Sequence, residues 1–165
     1  MKVGVIADTH GVLLTQAREA LAGVDQIVHA GDVGGREVLL ALKRIAPVTA
    51  VRGNYDPEGE LDLLPDPALI TLDGVSALLT HRMLMFEWNS GKAHFASMVA
   101  KFSGHPQLVI FGHTHFPVAE EVEGIYFLNP GYCGPDPKEW DPSVGILTLE
   151  SGRISGEIIE LKSRS

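Results

Sequence analysis

The sequence predicts an α/β fold in which two sheets pack face to face with helices outside. β-Branched runs alternate with amphipathic helices in the first half, the mark of parallel βαβ units. Apolar runs flank Asp73-Gly74, Glu123-Gly124 and Ser151-Gly152 in the second half, the mark of hairpins. The 165 residues, 45% hydrophobic and 21% charged, suffice for one globular unit that buries roughly 70% of its unfolded surface. Residues 1–165 are therefore read as a single domain, and two apolar sheet faces are most simply buried against each other.

The elements follow in order. A strand is expected at residues 2–7, a helix at 15–22, a strand at 25–30, a helix at 35–46 and a strand at 47–51. The second helix places Val38, Leu39, Leu42 and Ile45 on one stripe, with Arg36, Lys43 and Arg44 elsewhere, so that stripe should lie on the sheet. Strands at 68–72 and 75–80 form the first hairpin. A helix around 92–103, a strand at 107–111 and a short hairpin across Glu123-Gly124 come next, and strands at 144–150 and 154–161 close the chain. The second half thus reads as mostly antiparallel. Eighteen Gly and ten Pro are spread along the chain, with no linker or repeat.

Thirteen Lys and Arg against 21 Asp and Glu give a formal charge of −8. That argues against a broad nucleic-acid or anionic-membrane surface, so no stable nucleic-acid complex is expected, though a local cationic pocket is compatible with it. The single cysteine, Cys133, makes neither an internal disulfide nor a thiolate zinc site, which fits a reducing compartment. No long apolar run precedes Asp8, so neither a signal peptide nor a membrane span is expected, and the cytoplasm is the expected location.

Apolar strands run straight into clusters of Asp, His, Asn and Gly: Asp8-Thr9-His10-Gly11, Gly31-Asp32, Gly53-Asn54-Tyr55-Asp56, Thr80-His81, Gly112-His113-Thr114-His115 and Asn129-Pro130-Gly131. The carboxyl ends of parallel strands form one edge of an α/β sheet, so the first three clusters should converge there. Glycines 31, 53 and 112 each precede a candidate ligand, where the missing Cβ permits close backbone approach. Side chains two apart on an extended segment share a side, which pairs Asp8 with His10 and His113 with His115. Two carboxylates, four imidazoles and one amide form a mixed N/O donor set that suits Mn, Fe, Co, Ni or Zn. Seven donors are too many for one ion, whereas two dications sharing an Asp would use them all. With Asp8 and Asp32 as the anionic ligands the local sum is about +2, attractive to phosphate.

His29 reads as a hydrogen-bonded strand-end residue, His94 as a helix-surface residue, His105 as a loop residue and Cys133 as inert packing. The apolar stretch at 83–88 reads by default as core; a substrate-pocket wall and a self-association patch, hence a homo-oligomer, are the other two readings.

The order D-x-H, G-D, G-N-x-D, H, G-H-x-H, N-P-G, running from Asp8 to Gly131, resembles the calcineurin-like metallophosphoesterases, and the short length their compact YfcE-like branch. The resemblance implies a four-layer αββα sandwich of two mixed sheets and a dinuclear centre. One ion would be held by Asp8, His10, Asp32 and His115, the other by Asp32, Asn54, His81 and His113, with Asp32 as the bridge and Mn first among the candidate metals. It implies a phosphoesterase that attacks a small phosphate ester with a metal-bridging hydroxide, phosphodiesters or nucleotide-like small molecules being favoured over proteins and long nucleic acids, and monoesters kept as an alternative. Asp32, Asn54, His81 and Asp56 are then the catalytic candidates, and Asn54, Tyr55 and Arg82 the substrate contacts.

Three features depart from that pattern. Many relatives carry His directly after the motif Asn to protonate the leaving oxygen; here Tyr55 and Asp56 follow Asn54, so diesters and activated leaving groups should outperform alkyl monoesters. Arg82 stands where relatives commonly have Gly, either as a phosphate clamp or as a surface residue. The segment from Tyr132 to Trp140 lacks the Arg often found there. Two other functions fit the resemblance: a non-catalytic scaffold like the retromer subunit of this branch, and a nucleotide-binding regulator.

Overall fold

The computed structural model describes residues 1–83, 88–136 and 140–161, with the backbone alone at 88–90. In chain order the elements are β1 (Lys2–Ile6), α1 (Thr15–Ala20), β2 (Gln26–His29), α2 (Arg36–Lys43), β3 (Val48–Ala50), a 3₁₀ turn (Glu60–Leu63), β4 (Ala68–Leu72), β5 (Val75–Thr80), α3 (Trp88–Val99), β6 (Leu108–Phe111), β7 (Val118–Val122), β8 (Ile125–Asn129), β9 (Ser143–Glu150) and β10 (Arg153–Glu160).

They form two five-stranded sheets, ordered β10-β9-β1-β2-β3 and β4-β5-β6-β8-β7. In the first sheet β1, β2 and β3 run parallel, and β9 and β10 add antiparallel to β1. The second sheet differs from the expectation of a largely antiparallel half. The hairpins β4-β5 and β7-β8 are present, but β5, β6 and β8 pair in parallel between them. The crossover through α3 sets β6 parallel to β5, and the passage through β7, on the far side of β8, sets β8 parallel to β6, because a hairpin signal fixes only the partner across its own turn.

Residue parity sorts each strand between layers. Val3, Val5 and Ala7 face the second sheet and pack with Leu79, Leu108, Ile110 and Leu128 in the core between the sheets. Ile6 and Ile27 face the other way, onto Ala17, Leu21, Val38 and Leu42 of the α1–α2 layer. Leu78, Val109 and Phe127 meet Phe95, Ala96 and Val99 of α3 on the far side of the second sheet. The result is the αββα sandwich of two mixed sheets. The expected α2 stripe packs inward as read, with Val38 and Leu42 buried and Leu39 and Ile45 partly so. Each buried Leu or Ile contributes roughly 1.5–3 kcal/mol, so two registered helix faces account for much of the outer-layer cohesion.

Of the stretch at 83–88, Met83 is partly buried against the α3 layer, while residues 84–87 lie outside the described residues. Among the described residues no helix is long and apolar enough to cross a membrane.

Candidate metal centre

The loops that leave β1 and β2 are laced together: Asp8 N–H donates to Gly31 O (3.0 Å), His10 N–H to Asp32 O (3.1 Å) and Gly11 N–H to Val33 O (2.8 Å). This lacing holds Asp8, His10 and Asp32 in the left-handed region, at φ 53°, 47° and 53°. His113 and His115, in the loop after β6, are left-handed too, at 69° and 58°. A non-glycine residue there costs on the order of 1–2 kcal/mol, so five such residues at one edge mark a place where tertiary structure overrides local preference.

The consequence is convergence. Ligand atoms of Asp8, His10 and His115 lie within 4.8 Å of one another, and so do those of Asp8, Asp32 and His81. Asp8 belongs to both groups; Asp32, the expected bridge, belongs to the second, and its Oδ2 also lies 3.6 Å from His10 Nε2. Asn54 Oδ1 is 3.0 Å from His81 Nε2. His113 flanks the second group, its ring 5.2 Å from that of His81 and its N–H donating to Asp8 Oδ2 (3.1 Å). All seven sequence-predicted ligands thus meet at one edge.

Whether the donors fit a cation is decided by their unmet valences. Asp8 Oδ1 and His10 Nε2 are buried with no hydrogen-bond partner. Leaving such atoms unsatisfied costs about 1–3 kcal/mol each, and a divalent ion between them satisfies both. His81 Nδ1–H donates to Ala30 O (2.8 Å), which turns Nε2 toward the carboxylates. The residues fit a metal centre built from imidazole and carboxylate.

The electrostatics agree. Burial by itself would raise the Asp32 carboxyl, but hydrogen bonds from His81 and the Tyr55 N–H, with the charges of His81 and His10, hold it below the ordinary carboxylate range. Burial pulls His81 down, yet the hydrogen bond and charge of Asp32, the Ala30 carbonyl and Asp8 carry it above an ordinary histidine. His113 is lowered by burial and by the charges of His81 and Arg82, against the opposing pull of Asp8 and Asp32.

A family description of the calcineurin-like phosphoesterase superfamily domain matches residues 1–152. The chain belongs to the calcineurin-like phosphoesterase superfamily. It is 30% identical to a probable metallophosphoesterase of Methanothermobacter thermautotrophicus, over 96% of this chain and 92% of that one. It is 31% identical to the phosphodiesterase YfcE of Escherichia coli, over 89% of this chain and 87% of that one. Its fold is similar to that of Vps29 from Entamoeba histolytica solved with zinc, with a TM-score of 0.73 at 23% identity over 98% of this chain and 100% of the other.

Within this phosphoesterase domain, the candidates around the ligands have distinct positions. Tyr55 is 74% exposed, with its ring 5.8 Å from that of His10. Arg82 is exposed and donates from Nε to Asn54 Oδ1 (3.1 Å). Asp56, a catalytic candidate from the sequence, has a structural task here. It is buried, and its two oxygens accept the N–H groups of Gly34 and Gly53, each at 2.7 Å, which commits the carboxylate to tying two loops together.

The glycine rule holds with a change of target. A Cβ on Gly53 would overlap the Asp32 backbone nitrogen and Oδ1, and one on Gly31 would lie 2.6 Å from the His81 ring, so the close approach is to the ligands themselves. Three supporting residues escaped the sequence reading. Asp66 Oδ1 accepts from the His81 N–H (3.0 Å) and the Thr80 hydroxyl (2.8 Å). Buried Tyr132 packs its ring 4.9 Å from His115 and 5.7 Å from His10. Thr9 meets His29 Nε2 at 3.0 Å and donates to Val33 O (2.9 Å). Thr9 had a usable signal, a hydroxyl inside the D-x-H block; Asp66 and Tyr132 had none, since each reaches its ligand across the fold. Cys133 is buried, its thiol pushed up to about 12 by burial and by Asp8, in keeping with inert packing. His94 and His105 are exposed, on α3 and in the loop that follows.

Proposed function

We propose that the chain is a metal-dependent phosphodiesterase acting on small phosphate esters, in the cytoplasm, with two divalent ions and manganese the first to try. The observation that carries the reading is the pair of donor groups sharing Asp8, with two buried ligand atoms that no protein group satisfies. Asp8, His10, Asp32 and His115 would hold one ion, and Asp32, Asn54, His81 and His113 the other. When bound, the ions would supply Lewis acidity, acidification of the attacking water and neutralisation of charge on the phosphoryl oxygens.

The chain's own residues do the rest. The Ala30 carbonyl and Asp66 fix His81, and the Tyr55 N–H fixes Asp32, so the donors are ordered before substrate arrives. Arg82, steered by Asn54, offers its remaining N–H groups to a phosphoryl oxygen. Tyr55 covers His10 from the solvent side and stands at the substrate's edge. With Asp56 committed to backbone, proton donation to the leaving oxygen has no side chain dedicated to it, and turnover should favour esters whose leaving group departs without a proton.

The test is steady-state hydrolysis of a paired aryl phosphodiester and phosphomonoester by metal-stripped protein reconstituted with Mn, Ni, Zn or Mg, with Asp32→Asn as control. Turnover restored by a transition metal, faster on the diester and steeper as leaving-group pKa falls, is expected. Two ions bound by calorimetry with no turnover on any ester would replace this reading by a binding scaffold.

A further inference from the structure

A groove of about 250 Å³ lies on the outer side of the second sheet, between the end of β5 and α3. Leu78, Met83, Phe95, Met98 and Phe102 line it, and Arg82 and Thr80 stand at its polar end. Arg82 is common to two places: it lines the groove and donates to Asn54, which touches His81. Arg82 thus joins the groove to the candidate phosphate site, and a group esterified to a phosphate at that site would reach the groove past its guanidinium.

We propose that this groove is the subsite for the non-leaving ester group of the substrate, and that the group is an apolar aryl ring rather than a nucleoside; this rests on the phosphodiesterase reading above. Size comes first. A dry protein cavity of about 150 Å³ takes benzene, so 250 Å³ holds one substituted ring. Polarity decides between rings. The Thr80 hydroxyl is given to Asp66, so Arg82 is the polar side chain left to serve a ligand among the described lining residues. A nucleobase brings several ring and exocyclic donors and acceptors, which would be stripped of water without partners, whereas an aryl ring brings none. Two methionines and two phenylalanines in the wall supply polarizable, adaptable contacts to an aromatic face.

The experiment uses p-nitrophenyl phosphodiesters that share one leaving group and differ in the other ester: methyl, phenyl or thymidine 5′. Phenyl is expected to exceed methyl about tenfold in kcat/KM, chiefly through KM, with the thymidine ester no better than methyl. The exposed wall residues Met98 and Phe102 can change without emptying the core, so Met98→Ser/Phe102→Ser should bring phenyl down to the methyl value and leave methyl unchanged. A second readout needs no turnover: in protein carrying ¹³C-methyl methionine, phenyl methylphosphonate should shift the Met83 and Met98 resonances and leave Met1 in place. Hydrolysis without a phenyl preference, or without those shifts, overturns the subsite and leaves the phosphodiesterase standing. Shifts without hydrolysis of any ester uphold the groove as an aryl-phosphonate site and overturn the enzyme. A thymidine ester that outperforms phenyl overturns the choice of ring.

Discussion

Left-handed backbone occurs at two kinds of place in this molecule, and the contrast separates architecture from function. At the hairpins, Asp73, Glu123 and Ser151 have φ of 48°, 53° and 51°, each followed by a left-handed glycine. These are two-residue turns whose twist matches the strands they join, and the conformation is needed only to close the turn. At the candidate metal centre Asp8, His10, Asp32, His113 and His115 adopt the same φ range, and although Val12 N–H closes a turn onto Thr9 O around His10 and Thr114 N–H one onto Gly112 O around His113, neither turn joins two paired strands. There the backbone is bent by bonds from other loops, and what the bending achieves is convergence of donor atoms. One conformation thus serves local chain reversal in one region and a long-range constellation in the other.

The largest difference should appear when the same substitution is made at each. Asn accepts the left-handed region as well as Asp does and keeps its shape, so Asp→Asn removes charge and leaves conformation alone. Asp8→Asn is expected to abolish tight binding of the ion that Asp8 would hold with His10, Asp32 and His115, and to lower hydrolysis by about 10³-fold, the scale of losing a principal charge-stabilising group. Asp73→Asn, at a solvent-exposed turn, should leave hydrolysis unchanged and stability within about 0.5 kcal/mol. Calorimetric metal titration and steady-state rates on the two variants decide it; equal effects would erase the distinction.

Glycine provides the second comparison. A Cβ at Gly124 meets nothing within 4 Å, so Gly124→Ala carries only the cost of its φ of 78°, about 1 kcal/mol. A Cβ at Gly53 collides with Asp32 itself, and Gly53→Ala should cost roughly 3 kcal/mol or more in urea unfolding and displace a ligand as well. An Ala at 53 that binds metal normally would mean that the loop after β3 has slack.

These pairs also explain what the sequence made legible. The hairpins were readable because Asp73-Gly74, Glu123-Gly124 and Ser151-Gly152 carry their turn chemistry in adjacent residues. The clustering of the candidate ligands was readable because they fall in the loops that leave apolar strands, where a polar residue has no packing task. The parallel pairing of β5, β6 and β8 was not readable, since it depends on a crossover and not on any turn. The hydrogen bonds of Asp56 were not readable for a related reason. Asp56 lies two residues from the candidate ligand Asn54, yet its two oxygens accept from the N–H groups of Gly34 and Gly53, and only the fold reveals that both are taken. Asp66, 15 residues from His81 and bonded to its N–H, gave no local sign at all.

A third prediction concerns how the strained loop after β6 is held. Asn129 is buried and donates from Nδ2 to Gly112 O and Thr114 Oγ1, each at 3.0 Å, so it spans the segment that carries His113 and His115. Asn129→Ala touches no ligand, yet it should weaken metal binding 10- to 100-fold, as loss of an outer support typically does. A matching change at a hairpin has no counterpart, because turns need no outside support. Unchanged affinity in a folded Asn129→Ala would show that the loop holds its left-handed residues unaided.

The smallest expected effect lies beneath the loop after β1. Thr9 gives its hydroxyl proton to Val33 O, so His29 Nε2–H is the donor to Thr9 Oγ1, and His29 Nδ1 is left buried without a partner. A second proton on that ring would have no acceptor. Burial, with the charge of His81 added and Asp32 opposing, accordingly lowers His29 to about 3. The unfolded chain takes up this proton near pH 6.5 and the folded chain refuses it until about pH 3. Stability linked to His29 is therefore complete above about pH 6.5 and is lost as the pH falls toward 3. Between pH 7.5 and 5.5 the loss is about 1.4 kcal/mol, from RT ln(1 + 10) at one unit below the unfolded pKa. His29→Gln keeps a donor for Thr9 and removes the titration. Urea midpoints of metal-free protein at the two pH values should converge by that amount relative to wild type, the two proteins sharing all other titrating groups. A difference that does not change with pH would mean that His29 takes up its proton in the folded state, and that the Asp8-Thr9-His10 loop opens to admit it.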